Sequence, residues 1–254
     1  MIIYVAGYPK SGTTWITRLL GDVLACRSGG SIPSEDKNEI ATEYFGTNSE
    51  YFVRKGHFIL NDRYSSNPVR KPHVMHWKGL DPELHKVVFV VRDPRDIAVS
   101  GAHHWKIPVY RFLENMISGT NGVRLFGPWH VYIDSWLSKR ENVQFVSVRY
   151  EDMLEGSHAL ASLLLELGYD EHLQKVRNAY ERQSFENRLR DIREVGDTYP
   201  LGKAFNLRFM RKGKAGDWRN HFTRSDAFNA ETCFGDLLRR LGYESDAFWW
   251  KEIS

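Results

Sequence analysis

Short apolar runs alternate along the chain with segments in which apolar residues recur at helical spacing. Residues 2–6 form an apolar run that ends at Gly7, and residues 86–91 form the most apolar run of the chain. Runs of this kind, rich in β-branched residues and bounded by turn residues, predict buried strands. Between them, the apolar positions from Trp15 to Leu24 follow a helical period. The pattern therefore opens with a strand and a helix.

The rest of the chain continues this alternation. Further strands are predicted at residues 73–75 and 143–148. Further helices are predicted at residues 111–139, with a break at 119–128, and at residues 150–168, 171–182 and 231–241. Residues 27–66 are polar and irregular, a composition typical of loops with short helices and compatible with a lid. Residues 185–214 predict a long basic loop.

Strands that alternate with helices predict an α/β fold with a central, mostly parallel β-sheet flanked by helices. The 254 residues show no internal repeat and no linker, so we expect a single domain over residues 1–254. Apolar residues make up 42% of the chain, which is ordinary for a globular protein.

Charge and cysteine content narrow the function classes. The net charge of +3 is too small to indicate a general nucleic-acid binder, although a local basic cluster could bind a small anion. The two cysteines, Cys26 and Cys233, form neither a disulfide framework nor a CxxC pair. No apolar run is long enough for a transmembrane helix, and the first residues do not resemble a secretory signal. We therefore expect a cytoplasmic protein.

The segment between the first strand and the first helix has the features of a phosphate-binding loop. Gly7 and Gly12 frame it, Lys10 and Ser11 lie between them, and Thr13-Thr14 open the helix. Amides at a helix N-terminus have no intrahelical partner, and the helix dipole favours an anion there. The frame nearly matches the Walker A pattern, but Thr occupies position 13, where that pattern has Lys. The alternative is a helix-capping turn that binds no ligand.

Residues 8–15, Tyr-Pro-Lys-Ser-Gly-Thr-Thr-Trp, resemble the 5′-phosphosulfate loop of the cytosolic sulfotransferases, which use 3′-phosphoadenosine 5′-phosphosulfate (PAPS). Residues 91–96 through Ser100 resemble the 3′-phosphate motif of that family, and residues 209–218 resemble its C-terminal cofactor loop. Residues 150–153 and 184–185 match smaller signatures. These matches occur in the family order and span residues 8–223.

The resemblance implies a role for each matched residue. Loop amides and Lys10 would hold the 5′-phosphosulfate, and arginine suits the 3′-phosphate because its planar fork binds two oxygens. Adenine would stack on Trp15 and Phe185. The implied cofactor-binding residues are Lys10, Ser11, Gly12, Thr13, Thr14, Trp15, Arg92, Ser100, Tyr150, Ser184, Phe185, Arg211, Lys212 and Gly213. For Arg92 the alternative is a salt bridge with a neighbouring acid, for Trp15 it is core packing, and for the 211–212 pair it is a solvated loop.

The catalytic base is less directly indicated. The family usually carries Lys-x-His after a strand, whereas this chain has His76-Trp77-Lys78, in reversed order. Residues two apart in an extended segment face one side, so His76 and Lys78 could both reach the site. We favour His76 as the base, because a neutral imidazole can accept the proton of the acceptor near pH 7. His73, in Lys71-Pro72-His73, is the rival, and His103 and His104 remain candidates.

The predicted reaction is in-line transfer of a sulfuryl group from PAPS, which leaves 3′-phosphoadenosine 5′-phosphate (PAP), to a hydroxyl or amine. His76 would act as general base, with Lys10 and Lys78 stabilising negative charge. The acceptor would be a small molecule, a sugar or a lipid. No metal is expected. The C-terminal dimer motif of the family is only loosely matched, since Arg224 and Phe228 replace its Val and Glu, so we do not expect dimerisation by that route.

Two functions from other classes compete with this prediction. A P-loop kinase would need ATP and Mg²⁺, but Thr13 replaces the Walker lysine, and Arg92 ends the strand where a Walker B acid would lie. A catalytically silent nucleotide-binding module would be favoured if neither His76 nor His73 faced the cofactor. Metal dependence distinguishes the kinase, and mutation of the histidines distinguishes the silent module.

Overall fold

The structure is a computed structural model, which describes residues 2–24, 26–28, 43–46, 52–55, 57–58, 74–75, 83–138, 144–194 and 210–253. The strands are β1 (Ile2–Gly7), β2 (Cys26–Ser28), β3 (Glu43–Gly46), β4 (Phe52–Lys55), β5 (His57–Phe58), β6 (Val74–Met75), β7 (His85–Val91) and β8 (Gln144–Arg149). The helices are α1 (Thr13–Val23), α2 (Pro94–Trp105), α3 (Val109–Ser118), α4 (Trp129–Leu137), α5 (Tyr150–Met153), α6 (Ser157–Glu166), α7 (Leu173–Arg182), α8 (Phe185–Glu194) and α9 (Arg224–Arg240).

The chain divides into two compact units. The first comprises Met1–Gly7, Gly12–Val91 and Arg140–Gly213, and the second comprises Tyr8–Ser11, Arg92–Lys139 and Lys214–Ser254. The first unit therefore contains the sheet with α1 and α5–α8, and the second contains α2–α4 and α9. The single domain expected over residues 1–254 remains a prediction.

The sheet of the first unit confirms the predicted α/β architecture. Its strand order is β2-β3-β4-β1-β7-β8. The strands β4, β1, β7 and β8 pair in parallel, and β3 is antiparallel to both of its neighbours, β2 and β4. Val5 of β1 lies opposite Val88 of β7, which lies opposite Val146 of β8. All three valines are buried. An apolar run without alternation is what a parallel strand covered on both faces requires.

Strands occur in the segment for which loops with short helices were expected. Tyr44 of β3 pairs with Val53 of β4 in antiparallel register, so the described parts of residues 27–66 are strands. Runs this short carry no readable period, because pairing with a distant strand supplies their structure. The expectation of short helices was therefore wrong for these residues.

Helix boundaries differ from the prediction at three places. Gly156, with φ 148°, separates α5 from α6, where one helix was expected. Helix α8 replaces the first part of the predicted basic loop, and Ile192 is its one buried side chain. Helix α9 begins at Arg224 instead of residue 231, because Thr223 and Asp226 form a capping box.

The second unit is built around α2. Asp93 caps this helix by accepting a hydrogen bond from the Arg95 amide, and Pro94 occupies the first turn, as its position in the sequence predicted. Gly101 lies against the Phe112 ring of α3, so closely that a Cβ on Gly101 would be 2.1 Å from that ring. No helix within the described ranges is long and apolar enough to span a membrane.

Candidate active site

The loop after β1 has the backbone geometry of an anion-binding turn. The Ser11 amide donates to the Tyr8 carbonyl at 3.1 Å, and Gly12 caps α1 with φ 92°. Lys10 also has a positive φ, 72°, which is uncommon for a residue with a side chain. The first turn of α1 carries no acidic residue. The positive end of the helix dipole is therefore available to an anion.

Ser11 supplies a test of whether this loop fits a ligand. Its side chain is fully buried, and within the described part of the chain its Oγ has no hydrogen-bond partner. A buried hydroxyl without a partner carries a desolvation cost, which a bound oxyanion would relieve. The residues of the loop therefore fit the phosphosulfate group that the sequence predicted for it.

Arg92 lies at the point where β7 leads into α2. It is 7% exposed, and its Nη1 donates to the Lys10 carbonyl at 3.1 Å. The structure thus brings together two residues that the sequence assigned to different phosphates. Ser100, two turns further along α2, is also buried. Arg92 is held beside the loop by a backbone contact, which no residue pattern in the sequence indicated.

The two acids beside Arg92 have partners of their own. Asp93 forms a 2.7 Å ion pair with the buried Arg95. Asp96 accepts hydrogen bonds from the amides of Gly216 and Trp218 at 2.6 and 3.0 Å. Burial raises the pKa of the Asp96 carboxyl, and the positive charge of Arg92 acts against that shift. Asp96 therefore attaches residues 216–218 to the start of α2.

Trp15 occupies a defined position in the first turn of α1. Its indole is half-buried, and its Nε1 donates to the Gln183 carbonyl at 2.8 Å. Its ring meets Tyr150 and Tyr180 edge-to-face, at centroid distances of 5.6 and 6.1 Å. Trp15 therefore contributes to packing, and its orientation is fixed by a hydrogen bond.

Tyr150 lies directly over the phosphate loop. A Cβ placed on Gly12 would be 2.4 Å from the Tyr150 ring, so that ring occupies the space a side chain at position 12 would need. Tyr150 is buried and is the first residue of α5, after β8. Two segments that are far apart in the sequence are thus brought together, as the predicted cofactor site requires.

Phe185 and Gly213 also come into contact. A Cβ on Gly213 would lie 2.5 Å from the Phe185 ring, and the φ of Gly213 is 62°. Ser184 precedes α8 and accepts a hydrogen bond from the Asn187 amide at 3.3 Å. Arg211 is half-buried and Lys212 is exposed. The cofactor loop therefore passes close to the Phe185 ring.

The proposed catalytic pair lies outside the described residues. His76 and Lys78 lie in the range 76–82, and His73 lies in the range 59–73; the structure describes neither range. Of the other candidates, His103 and His104 lie in the last turn of α2. At a rise of 1.5 Å per residue, these two histidines lie about 17 Å from Arg92 along the axis of α2. His104 packs against Trp105, with ring centroids 4.6 Å apart.

Sequence reasoning missed several residues that shape the site. Asp22, Arg182 and Gln183 form a polar network at the ends of α1 and α7. Arg95 contacts two indoles that meet edge-to-face, its Cζ 3.9 Å from the Trp218 ring and 4.4 Å from the Trp249 ring. No local pattern marks these contacts, because each joins residues more than a hundred positions apart. Among the described residues, no group of three or more His, Cys, Asp or Glu could hold a metal ion.

Comparison with known proteins gives a consistent result. The family model described as Sulfotransferase domain matches residues 2–242. Sulfotransferase 1E1 of Bos taurus is 28% identical over 251 residues, which cover 87% of this chain and 78% of that protein. The crystal structure of mouse sulfotransferase SULT7A1 complexed with PAP has a TM-score of 0.58 at 22% identity, covering 100% of this chain and 89% of the other. The crystal structure of retinol dehydratase in a complex with retinol and PAP has a TM-score of 0.59 at 22% identity, and the match covers 94% of this chain and 81% of the other.

Proposed function

The chain belongs to the sulfotransferase family and is a PAPS-dependent sulfotransferase, and we propose that its phosphate loop, together with Arg92, Trp15 and Phe185, binds PAPS for sulfuryl transfer to a small acceptor. The observation that supports this proposal most directly is the buried Ser11 hydroxyl, which lacks a hydrogen-bond partner among the described residues and lies in a loop at a helix N-terminus. A loop that only capped the helix would have no need of such a group.

Two sets of residues would hold the two phosphate ends of PAPS. The amides at the start of α1, with Lys10, Ser11, Thr13 and Thr14, would bind the 5′-phosphosulfate. The 3′-phosphate would take charge-assisted bonds from guanidinium and ammonium groups and further bonds from a hydroxyl and a backbone amide. These residues are Arg92, Ser100, Arg211, Lys212 and Gly213.

The adenine would be held by the aromatic side chains of the first unit. Trp15 and Phe185 would stack on its faces, because each offers a flat apolar surface that is only half-buried. Tyr150 and Ser184 would meet its polar edge. The contacts of Tyr150 with Gly12 and of Phe185 with Gly213 support this proposal, since they join the aromatic residues to the phosphate-binding segments.

The chemistry proposed for the chain is proton removal and charge stabilisation. PAPS, when bound, supplies the sulfuryl group. An imidazole nitrogen of His76 would take the proton from the acceptor hydroxyl or amine. The Lys10 ammonium and the loop amides would stabilise negative charge on the bridging phosphate oxygen, with Lys78 assisting.

The acceptor is proposed at the level of chemical class. The retinol dehydratase structure contains retinol, a small apolar alcohol. For this chain we propose a small-molecule, sugar or lipid acceptor that carries a hydroxyl or amine, and a cytoplasmic location. A panel of phenols, steroids, sugars and amines with labelled PAPS would identify the class.

Ligand-dependent thermal unfolding tests the proposed cofactor site. PAP at about 100 times its Kd adds roughly 2.7 kcal/mol of stability. For a chain of this size that is a rise in Tm of about 5–10 °C. The rise should be the same with and without EDTA. A rise with ATP and Mg²⁺ alone would contradict the proposal and favour a kinase.

A further inference from the structure

Asp22, at the end of α1, holds two consecutive residues at the end of α7. Its Oδ1 accepts from Arg182 Nη2 at 2.7 Å, and its Oδ2 accepts from Arg182 Nε at 3.0 Å. The same Oδ2 accepts from Gln183 Nε2 at 3.0 Å. The guanidinium fork thus binds the carboxylate through two parallel bonds, a geometry that fixes orientation as well as distance.

The network continues to Trp15 through the backbone. Asp22 and Trp15 are seven residues apart in α1, so they lie on the same face of the helix, two turns apart. The Gln183 carbonyl accepts the indole N–H of Trp15 at 2.8 Å. Both ends of this face of α1 therefore bind the same residue, Gln183.

The contribution of this network to stability should be small. The Arg182 side chain is 55% exposed, and exposed ion pairs contribute little because solvent screens them. In contrast, α1 is already held by a buried apolar core that includes Ile16, Leu19 and Leu20. The network instead fixes where the Gln183 carbonyl points and where the next residues, Ser184 and Phe185, begin.

We propose that Asp22 is a positioning residue for the adenine of PAPS. It holds Gln183 so that the carbonyl orients the Trp15 indole and so that Phe185 follows at a fixed place. This inference rests on the proposed function, in which Trp15 and Phe185 stack on adenine. Asp22 itself needs no contact with the cofactor.

The experiment compares Asp22→Asn with the wild-type protein. The PAP affinity is measured by calorimetry, and the KM for PAPS and the kcat are measured by steady-state kinetics. Loss of the network should weaken PAP binding and raise the KM for PAPS by about 3- to 10-fold, the range expected for a hydrogen bond that fixes orientation. The kcat at saturating PAPS should not change. Arg182→Gln, at an exposed side chain, is a second variant and should give the same split between KM and kcat.

Glu171→Gln provides the matched control. Glu171 accepts from Lys175 at 2.7 Å, an ion pair at the opposite end of α7 that has no bond to Trp15 or Gln183. It should leave both PAP binding and the KM for PAPS unchanged. An equal loss in Glu171→Gln would overturn the proposal, since the effect would then be general to the ion pairs of α7.

A double-mutant cycle with Trp15→Phe, which lacks the indole N–H, tests the route of the effect. In the Trp15→Phe protein, adding Asp22→Asn should reduce the PAP affinity much less than it does in the wild-type protein. If Trp15→Phe weakens binding but Asp22→Asn does not, or if the two losses add fully, only the positioning role is overturned. Normal PAP binding by Trp15→Phe would also overturn the positioning role, since the phenyl ring can still stack on adenine while the N–H bond to Gln183 is gone. If the wild-type protein does not bind PAP, the proposed adenine site fails and the inference fails with it.

Discussion

Gly12 satisfies two requirements that no other residue type could meet together. Its φ of 92° lies in the left-handed region, and the Tyr150 ring fills the space where a Cβ would extend. The same residue begins the helix whose amides face the proposed phosphosulfate site. At the residue scale, the position of the loop therefore depends on the absence of a side chain.

Gly12→Ala should impair both folding and function. The left-handed backbone costs about 1–2 kcal/mol for alanine, and displacement of the Tyr150 ring adds to that cost. Because the loop would also shift, kcat/KM for PAPS should fall by about 10²-fold. Gly168→Ala is the control: Gly168 has φ 81°, but its Cβ would meet only the Lys86 Nζ, at 3.6 Å. This control should lose stability and retain kcat/KM.

His76→Ala should lower kcat by about 10²–10⁴-fold, the contribution of a general base. The PAP affinity, measured by calorimetry, should stay at the wild-type value, since the base acts on the acceptor. His73→Ala should cost much less. If instead His73→Ala carried the large loss, the base assignment would move to that residue, and normal turnover in both variants would exclude both histidines as the base. A wild-type protein that binds PAP without any turnover would favour the silent module.

At the scale of elements, the start of α2 binds residues 216–218 of the C-terminal segment. Asp93 caps the helix, and Asp96 accepts the amides of Gly216 and Trp218. The sequence marked this helix start, since Asp-Pro is a local signal, but it could not indicate which distant amides Asp96 would bind. Helix α8 was missed because seven of its ten residues are polar, although Phe185, Leu189 and Ile192 recur at helical spacing.

Asp96 should give the protein a measurable pH dependence of stability. Burial raises its pKa in the folded state above the usual 3.8, so the folded protein binds a proton more readily than the unfolded chain. Stability from this group is therefore present at low pH and is lost as pH rises through the folded pKa. Urea unfolding of wild type and Asp96→Asn at several pH values measures the effect. The wild-type stability minus that of the variant should fall as pH rises, and a difference that rises with pH would contradict the assignment.

At the scale of the whole molecule, the sequence predicted the parallel sheet and the phosphate loop because both depend on contiguous residues. The apolar run of β7 and the loop after β1 can each be recognised from their own residues, without the rest of the chain. Contacts such as Arg92 to the Lys10 carbonyl join distant residues and left no local signal. Strands β2 and β3 were missed because they are three and four residues long.

Metal removal tests the reaction class for the whole enzyme. Charge in the proposed site is balanced by Lys10, Arg92 and the loop amides, so EDTA treatment should leave the sulfotransfer rate unchanged. The measurement is transfer from labelled PAPS before and after chelation, with Mg²⁺ added back. A loss of more than about tenfold that Mg²⁺ restores would show metal-assisted chemistry of the kinase type.

The contacts of Arg95 have a consequence for where this protein can be truncated. The match to the family ends at residue 242, yet Arg95 also pairs with Glu244 and stacks on Trp249, both beyond that boundary. A fragment cut at Gly242 would keep every residue assigned to PAPS and still leave a buried guanidinium without one carboxylate and one indole face. Asp93 would still pair with this guanidinium, so the fragment should be less stable than the full chain, and the matched domain and the stable fold have different ends.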